Sequence, residues 1–164
     1  MARGPGSVWD GRRYTRGHAD IPAAGLEPLF SRPSRDFRRV HSWWTIAAYS
    51  VLAATGEAFD VISAPLKLGV AATRTAPFRR TIAPASLSPD RLRFLVAPGV
   101  RLGLNLAGVE LVTDGALVPM PPTRVREGHL TWWVSPRLTQ WKPGDSLAVQ
   151  AALWLAAKSG SLVE

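Results

Sequence analysis

Residues 91–99 of this 164-residue chain read RLRFLVAPG and predict a strand that ends in a turn. Basic and apolar residues alternate from Arg91 up to Leu95 and Val96, which is typical of a strand. Ala97-Pro98-Gly99 then ends the strand, because Pro and Gly interrupt regular structure and favour turns. The remaining elements are predicted on either side of this strand.

The segments before it predict two more strands and a helix. Apolar runs at 46–54 and 58–63 each have the length of a buried strand, although periodicity alone does not separate such a run from a buried helix. A helix is predicted over 65–72, with Pro65 in its first turn. Residues 73–90 are rich in Pro, Arg, Thr and Ser and are interpreted as a loop with at most one short strand.

The segments after it predict a hairpin and an aromatic strand. Apolar residues at 109–112 and 116–120 flank Thr113-Asp114-Gly115, and Asp-Gly between two such runs is a hairpin signal. Residues 130–134 form a further strand candidate that contains two tryptophans.

Two helices are predicted near the ends of the folded region. The spacing of apolar residues predicts a short amphipathic helix over 36–45. A longer helix over 146–158 is capped by Asp145 or Ser146 and carries Lys158 in its last turn. It is apolar almost all round, so we expect it to be buried.

Together these elements predict an α+β fold. The folded part is a single small domain over 36–164, with a mixed or antiparallel sheet flanked by short helices. Residues 1–35 carry Arg, Gly and Pro without a sustained period and are predicted to be a basic N-terminal arm. A hydrophobic content of 46% is enough for a packed core.

The charge is strongly basic. Twenty Lys and Arg residues face twelve Asp and Glu residues, which gives a formal net charge of +8, and only Lys67, Lys142 and Lys158 are lysines. This balance favours polyanionic partners, and the arginine fork suits phosphate. A GC-rich genome also produces an Arg-rich composition, so charge alone leaves nucleic-acid contact open.

Several classes of function are excluded or disfavoured. The chain has no cysteine, which excludes disulfides, a thiol nucleophile and cysteine-ligated metals. The three histidines lie far apart, and no phosphate-binding glycine loop or nucleophile elbow is present. We find no apolar run of about 20 residues and no secretory signal, so we expect a cytoplasmic protein without a membrane partner.

Two carboxylates are candidates for metal-dependent chemistry. Asp60 follows one apolar run and Glu110 lies in another, so the two would converge if the strands were neighbours. The interpretation of both as ordinary acids at strand ends is preferred over a shared site.

Short motifs follow one another in a fixed order through residues 40–137. They are Trp43-Trp44, Ala54-Thr55-Gly56, Phe59-Asp60-Val61, Arg93 to Gly99, Gly108-Val109-Glu110, Asp114-Gly115, Val118-Pro119, Pro121-Pro122-Thr123-Arg124 and Leu130-Thr131-Trp132. In this order they resemble the N-terminal primase–polymerase domain of bifunctional replication proteins, a branch of the archaeo-eukaryotic primase superfamily, especially its short actinobacterial members. The resemblance does not cover the arm or the helix at 146–158.

The resemblance implies a degenerate active site. In active members an Asp-x-Asp pair and a later acid bind two divalent ions, and a histidine contacts the nucleotide phosphates. By position, Asp60 and Glu110 match the first and third acids, while Ile62 replaces the second and Leu92 replaces the histidine. Isoleucine cannot bind Mg²⁺ or Mn²⁺, which take oxygen ligands. The resemblance therefore implies the fold without the polymerase, and a cofactor only if catalysis survives.

Three functions follow from these observations. The preferred one is an accessory or regulatory factor, in replication or a mobile element, that binds nucleic acid or a nucleotide. The binding cleft would be lined by the arginines Arg74, Arg79, Arg80, Arg91, Arg93 and Arg124. The first alternative is a protein-interaction module in which Ile62 and Leu92 close the former site into core. The second is a divergent nucleotidyltransferase that uses Asp60 and Glu110 with Mg²⁺ or Mn²⁺.

Overall fold

The structure is a computed structural model that describes residues 26–28, 32–46, 50–99 and 101–160. The helices are α1 (Phe37–Ile46), α2 (Leu66–Thr73), α3 (Ala76–Arg80) and α4 (Ser146–Gly160). The strands are β1 (Val51–Ala54), β2 (Asp60–Pro65), β3 (Ala85–Leu87), β4 (Arg91–Val96), β5 (Glu110–Val112), β6 (Leu117–Met120), β7 (Arg124–Val125), β8 (Gly128–His129) and β9 (Thr131–Val134). The α+β class with antiparallel sheets is confirmed. Most of the predicted arm, 1–25 and 29–31, lies outside the described residues.

The chain divides into two compact units. The first unit contains residues 1–54 and 117–131, and the second contains 55–116 and 132–164. In the first unit β1 pairs antiparallel with β6, and β7 pairs antiparallel with β8. The predicted helix over 36–45 is confirmed as α1, which begins where Asp36 Oδ1 accepts the Arg38 backbone N–H at 2.9 Å.

The second unit is built on a five-stranded sheet in the order β5-β2-β4-β3-β9. β2 pairs antiparallel with β4 on one side and with β5 on the other, and β3 pairs antiparallel with β4. The alternation that predicted β4 is observed as alternating burial: Leu92, Phe94 and Val96 are buried, and the residues between them are half-buried. The two faces of this sheet therefore have different compositions.

Helices cover one face of the sheet, and this face holds the core. Ile62 from β2 and Leu92 and Phe94 from β4 are completely buried and pack in one cluster with side chains from α2, α3 and α4. The ring of Phe78 in α3 lies edge-on to Phe94, with 5.6 Å between ring centroids. We call this side of the sheet the helix-covered face. We call the opposite side the arginine face, because the side chains of Arg91 and Arg93 lie on it.

α4 differs from its prediction. Asp145 caps it as expected, since its Oδ1 accepts the Leu147 and Ala148 backbone N–H groups at 2.8 and 3.3 Å. Only one side of the helix is buried, however, around Val149 and Leu153. The expectation of an entirely buried helix is wrong, because the helix lies at the surface of the core and leaves its other apolar side in solvent.

The predicted hairpin at 109–120 is also wrong, although its turn forms. Asp114 and Gly115 have positive φ angles of 57° and 79°, and Ala116 N donates to Thr113 O at 3.1 Å. The flanking strands do not pair with each other: β5 pairs with β2, and β6 pairs with β1. Thr55 N already donates to Ala116 O at 3.1 Å, so the chain after the turn has another hydrogen-bonding partner.

The segment 73–90 contains β3 and an additional helix, α3, where only a loop with a short strand was expected. Pro77 lies within the first two positions of α3, where a missing N–H costs nothing. The contact of Phe78 with Phe94 fixes this helix on the core. The prediction failed because that contact joins residues distant in sequence.

Candidate nucleic-acid interface

Asp60, the first residue of β2, is engaged in backbone hydrogen bonds. Its side chain is almost completely buried, with 1% of the residue exposed. Oδ1 accepts the Gly56 N–H at 3.0 Å, and Oδ2 accepts the Gly99 N–H at 2.9 Å. Both oxygens therefore hold turns in place, one before β2 and one after β4, which is a structural function for this carboxylate.

Asp60 and Glu110 do not converge. Glu110 on β5 is paired with Ser63, which is three residues along β2 from Asp60 and so is about 10 Å away along the strand. Because three is odd, Ser63 and Glu110 lie on the opposite face of the sheet from Asp60. The expectation that these acids form one site is corrected by the strand register.

Ile62 and Leu92, the two positions to which the resemblance assigns an aspartate and a histidine, are core positions in the structure. The side chains of both Ile62 and Leu92 lie on the helix-covered face and are completely buried. A Cβ added to Gly69 of α2 would lie 2.6 Å from Leu92 Cβ, so the helix backbone packs directly on this leucine. The space beside the Leu92 side chain is therefore filled by the backbone of α2.

The acidic residues do not fit a pair of divalent ions. Among the described residues no group of three or more His, Asp or Glu side chains is placed to hold a metal. Both carboxylate oxygens of Asp60 accept hydrogen bonds from backbone N–H groups, and Glu110 lies on the other side of the sheet.

The six arginines predicted to line one cleft lie in three places. Arg74 is the C-terminal cap of α2, and Arg79 and Arg80 form the last turn of α3, so these three belong to the helix layer. Arg91 and Arg93 belong to β4 and lie on the arginine face, on the other side of the sheet. The register thus separates the helix arginines from the strand arginines, and a single cleft through all five is not formed.

Arg124 belongs to the first unit. It lies on β7, is paired with His129 of β8 and is half-buried.

The helix arginines are exposed and unengaged. With Lys67 of α2, they are the exposed cations of two consecutive helices, α2 and α3. We call this set of four residues the basic helix pair, after the two helices: Lys67, Arg74, Arg79 and Arg80. Within the part of the chain that the structure describes, none of these four side chains makes a hydrogen bond or an ion pair. No acidic residue occurs in the sequence between Asp60 and Asp90. Their positive charge is therefore presented to solvent, and none of the residues that the structure describes neutralises it.

Arg91, in contrast, donates hydrogen bonds to other residues of the protein. Its Nε donates to Ser63 Oγ at 2.7 Å, and its Nη2 donates to Ser63 O at 3.2 Å and to Gly108 O at 2.7 Å. Glu110 Oε2 lies 3.5 Å from Nη2. The guanidinium thereby joins β2 to the turn before β5, and its Nε and Nη2 donors are used within the protein.

Arg93 is half-buried on the same face as Arg91. Its neighbours across the two ladders are Ser63 on β2 and Ser86 on β3, both of which are buried. A residue enclosed by two buried serines has less access to a large polyanion than the fully exposed arginines of α3.

Two features were missed by the sequence argument. Lys67 was not assigned to the basic surface, although the acid-free stretch that contains it was visible in the sequence. The loop after the 3-10 helix at Pro136–Thr139 places Gln140 and Trp141 at positive φ angles of 53° and 63°, with Trp141 and Leu138 exposed. Nothing in the local residue types signals this conformation, which non-glycine residues seldom adopt.

Comparison of the chain with protein-family models, curated proteins and solved structures found no match. No helix among the described residues is both long enough and apolar enough to cross a membrane.

Proposed function

We propose that this chain is a catalytically degenerate primase–polymerase-like domain that binds nucleic acid through the basic helix pair. The observation that carries the proposal is the set of four exposed cations on α2 and α3, with no acid near them in sequence and no intramolecular partner among the described residues. Such a surface attracts polyanions and raises their local concentration.

A structural role at the ends of the helices does not fully account for these cations. Arg74, Arg79 and Arg80 lie at helix C-termini, where each cation interacts favourably with the helix dipole by about 0.3–1 kcal/mol. This interaction leaves the guanidinium N–H groups free to bind phosphate oxygens. Arginine suits that task, because its planar fork can bind two oxygens at once.

The mode of binding follows from the chemistry of this surface. Arginine and lysine contacts to phosphates carry no sequence information, so binding should tolerate any base sequence and weaken steeply with salt. The proposed role is accessory or regulatory, in replication or in a mobile element. Loss of catalysis is supported by the buried Ile62 and Leu92 and by the backbone hydrogen bonds of Asp60.

The proposal is tested by fluorescence anisotropy with labelled single-stranded and duplex oligonucleotides over a series of salt concentrations. The full chain is compared with an Arg79→Ala/Arg80→Ala variant and with a matched Arg101→Ala/Arg137→Ala variant, which loses the same charge from exposed positions elsewhere. For single strands we expect the first variant to flatten the log–log salt slope by about 1.4, since each phosphate contact contributes about 0.7. Absence of binding at low salt, or equal slopes for the two variants, contradicts the proposal.

A further arm separates binding from catalysis. Mn²⁺ and nucleoside triphosphates are added to the same titration, and we expect them to leave the affinity unchanged, because Asp60 and Glu110 lie on opposite faces of the sheet. Metal-dependent tightening that is lost in Asp60→Ala would favour the nucleotidyltransferase.

The second candidate is a protein-interaction module. It is favoured by Leu138 in the 3-10 helix and Trp141 just after it, which are 75% and 72% exposed in a segment that backbone hydrogen bonds hold in place. Exposed large apolar side chains of this kind are frequent in protein interfaces. A chain that binds no oligonucleotide at any salt concentration would favour this function over the first.

A further inference from the structure

Residues 139–142 form a tight turn, which we call the Trp141 turn. Lys142 N donates to Thr139 O at 3.0 Å, and Thr139 Oγ1 donates to Lys142 O at 2.8 Å. Both central residues, Gln140 and Trp141, have positive φ angles, as in a type I′ turn. Trp141 N also donates to Pro136 O at 2.8 Å. These hydrogen bonds fix the direction in which the Trp141 side chain leaves the backbone.

The residue types at the centre of the Trp141 turn are not those that suit its backbone. Gly, Asn and Asp dominate such positions, because they adopt positive φ at little cost. Packing would offset the cost for a tryptophan, but Trp141 is 72% exposed. Among the described residues its ring makes no contact with another ring or with a cation. Stability of the fold therefore does not account for this indole, and residues held in a rarely populated conformation cluster at ligand-binding sites.

The Trp141 turn is attached to the chain that leaves α3. Gly144, two residues after the turn, packs so closely on Ala83 that a Cβ added to Gly144 would clash with Ala83 Cβ. Gly144 N also donates to Leu95 O at 2.9 Å, which fixes the same segment on β4. Arg80 and Trp141 each lie three residues from this contact, which is at most about 11 Å of chain. The indole is therefore close to the last turn of α3.

The charge beside the Trp141 turn has the same sign as that of the basic helix pair. No acid occurs in the sequence between Glu127 and Asp145, and Lys142 is exposed next to the indole. The nearest acid in sequence, Asp145, uses Oδ1 to cap α4. The indole is thus accompanied by exposed cations, whose charge a phosphate backbone would neutralise.

We propose that Trp141 stacks on a base of a single-stranded nucleic acid whose phosphates are bound by the basic helix pair. The inference rests on the proposed function and names the form of nucleic acid that this surface selects. Aromatic rings beside cations bind single strands without sequence preference, because every base has a π-face. A duplex keeps its bases stacked on one another, so it can use the cations but not the indole. Single strands of DNA and RNA share this chemistry.

The test is fluorescence anisotropy of the full chain with labelled single-stranded DNA, single-stranded RNA and duplex DNA of the same sequence. Trp141→Ala should weaken single-strand binding by about 5- to 150-fold, the effect of losing one stacked base, and should leave the duplex affinity unchanged. Trp141→Phe keeps a π-face and should retain most of the affinity. Trp154→Ala, which removes another exposed indole from α4, is the matched control and should change neither affinity.

Two further readouts separate stacking from an electrostatic or a structural role. Because the indole is uncharged, Trp141→Ala should keep the salt slope of the unmodified chain, whereas Arg79→Ala/Arg80→Ala should flatten it. Unlabelled single strands should also quench the tryptophan fluorescence of the unmodified chain, and Trp141→Phe should show less quenching, because a stacked indole loses emission.

The outcomes distinguish this inference from the function on which it rests. Single-strand binding that Trp141→Ala leaves unchanged, or that Trp154→Ala weakens equally, overturns the inference but not the proposed function. An equal loss of single-strand and duplex affinity in Trp141→Ala overturns it as well. Absence of binding to all three oligonucleotides at low salt overturns both.

Discussion

Two sets of arginines, on opposite sides of the same five-stranded sheet, behave as different kinds of residue. Arg79 and Arg80 on α3 are exposed and have no intramolecular partner among the described residues. Arg91 on β4 uses its donors on Ser63 and on the carbonyl of Gly108. The net charge counts these residues equally, but only the first set presents charge that a polyanion can neutralise.

The difference arises from what surrounds each set. Arg91 faces a buried serine, and a buried hydroxyl without a partner destabilises the fold, so the guanidinium is held there. The sequence between Asp60 and Asp90 contains no acid, and no described residue forms a hydrogen bond or an ion pair with Arg79 or Arg80. Mutations should therefore separate the two sets, one through stability and the other through binding.

The largest loss of stability is expected when a polar residue is placed on the helix-covered face. Leu92→His restores the residue type that the resemblance assigns to this position, but it places an imidazole in a completely buried site against Gly69. We expect the free energy of unfolding, measured with urea, to fall by at least about 3 kcal/mol. The control Leu92→Met should cost less than about 1.5 kcal/mol. A stable Leu92→His variant that polymerises nucleotides would contradict the account of this face.

Asp60→Asn tests the carboxylate that lies on the helix-covered side. An amide supplies one acceptor where the Gly56 and Gly99 N–H groups need two, so one buried donor loses its partner. We expect a loss of about 1–3 kcal/mol in the free energy of unfolding. Asp114→Asn is the matched control, because Asp114 is exposed in a turn and asparagine tolerates its positive φ. Equal stability of the two variants would refute the structural role of Asp60.

Arg91→Ala tests the arginine face. Removing the guanidinium leaves Ser63 Oγ and Gly108 O without their donor, and we expect a cost of about 1–3 kcal/mol. The ion pair with Glu110 should add little, since the Glu110 side chain is 66% exposed. A double-mutant cycle with Ser63→Ala measures the coupling, and additive effects would show that the hydrogen bond is not what stabilises the sheet.

Arg79→Ala/Arg80→Ala should have the smallest effect on stability. Both side chains are exposed, and only the interaction of each with the C-terminus of α3, about 0.3–1 kcal/mol, is lost, so we expect a change below about 2 kcal/mol. Urea unfolding of this variant checks the expectation. A loss as large as that of Arg91→Ala would mean that the two sets are not different in kind.

Local sequence signals predicted the elements that depend on local physics. The alternation at 91–96 and the capping pattern at Asp145 yield β4 and the start of α4 where they were expected, and Pro65 marks the start of α2. The α+β class follows from such elements. The Asp-Gly turn was also predicted, because its positive φ angles are a local requirement.

The remainder depends on contacts between residues that are distant in sequence. α3 forms because Phe78 meets Phe94, and Asp60 becomes structural because Gly99 arrives 39 residues later in the chain. The register of β5 against β2, which separates Glu110 from Asp60, has no signal in either strand alone. The predicted arginine cleft failed in part for the same reason, since strand pairing and helix packing decide which side of a sheet a charge occupies.

The most direct test of the account compares Arg79→Ala/Arg80→Ala with Arg91→Ala in one set of oligonucleotide titrations across salt, at a temperature where both variants are folded. The account predicts that the helix variant flattens the salt slope while Arg91→Ala keeps the slope of the unmodified chain. A flattened slope for Arg91→Ala together with an unchanged slope for Arg79→Ala/Arg80→Ala would contradict it.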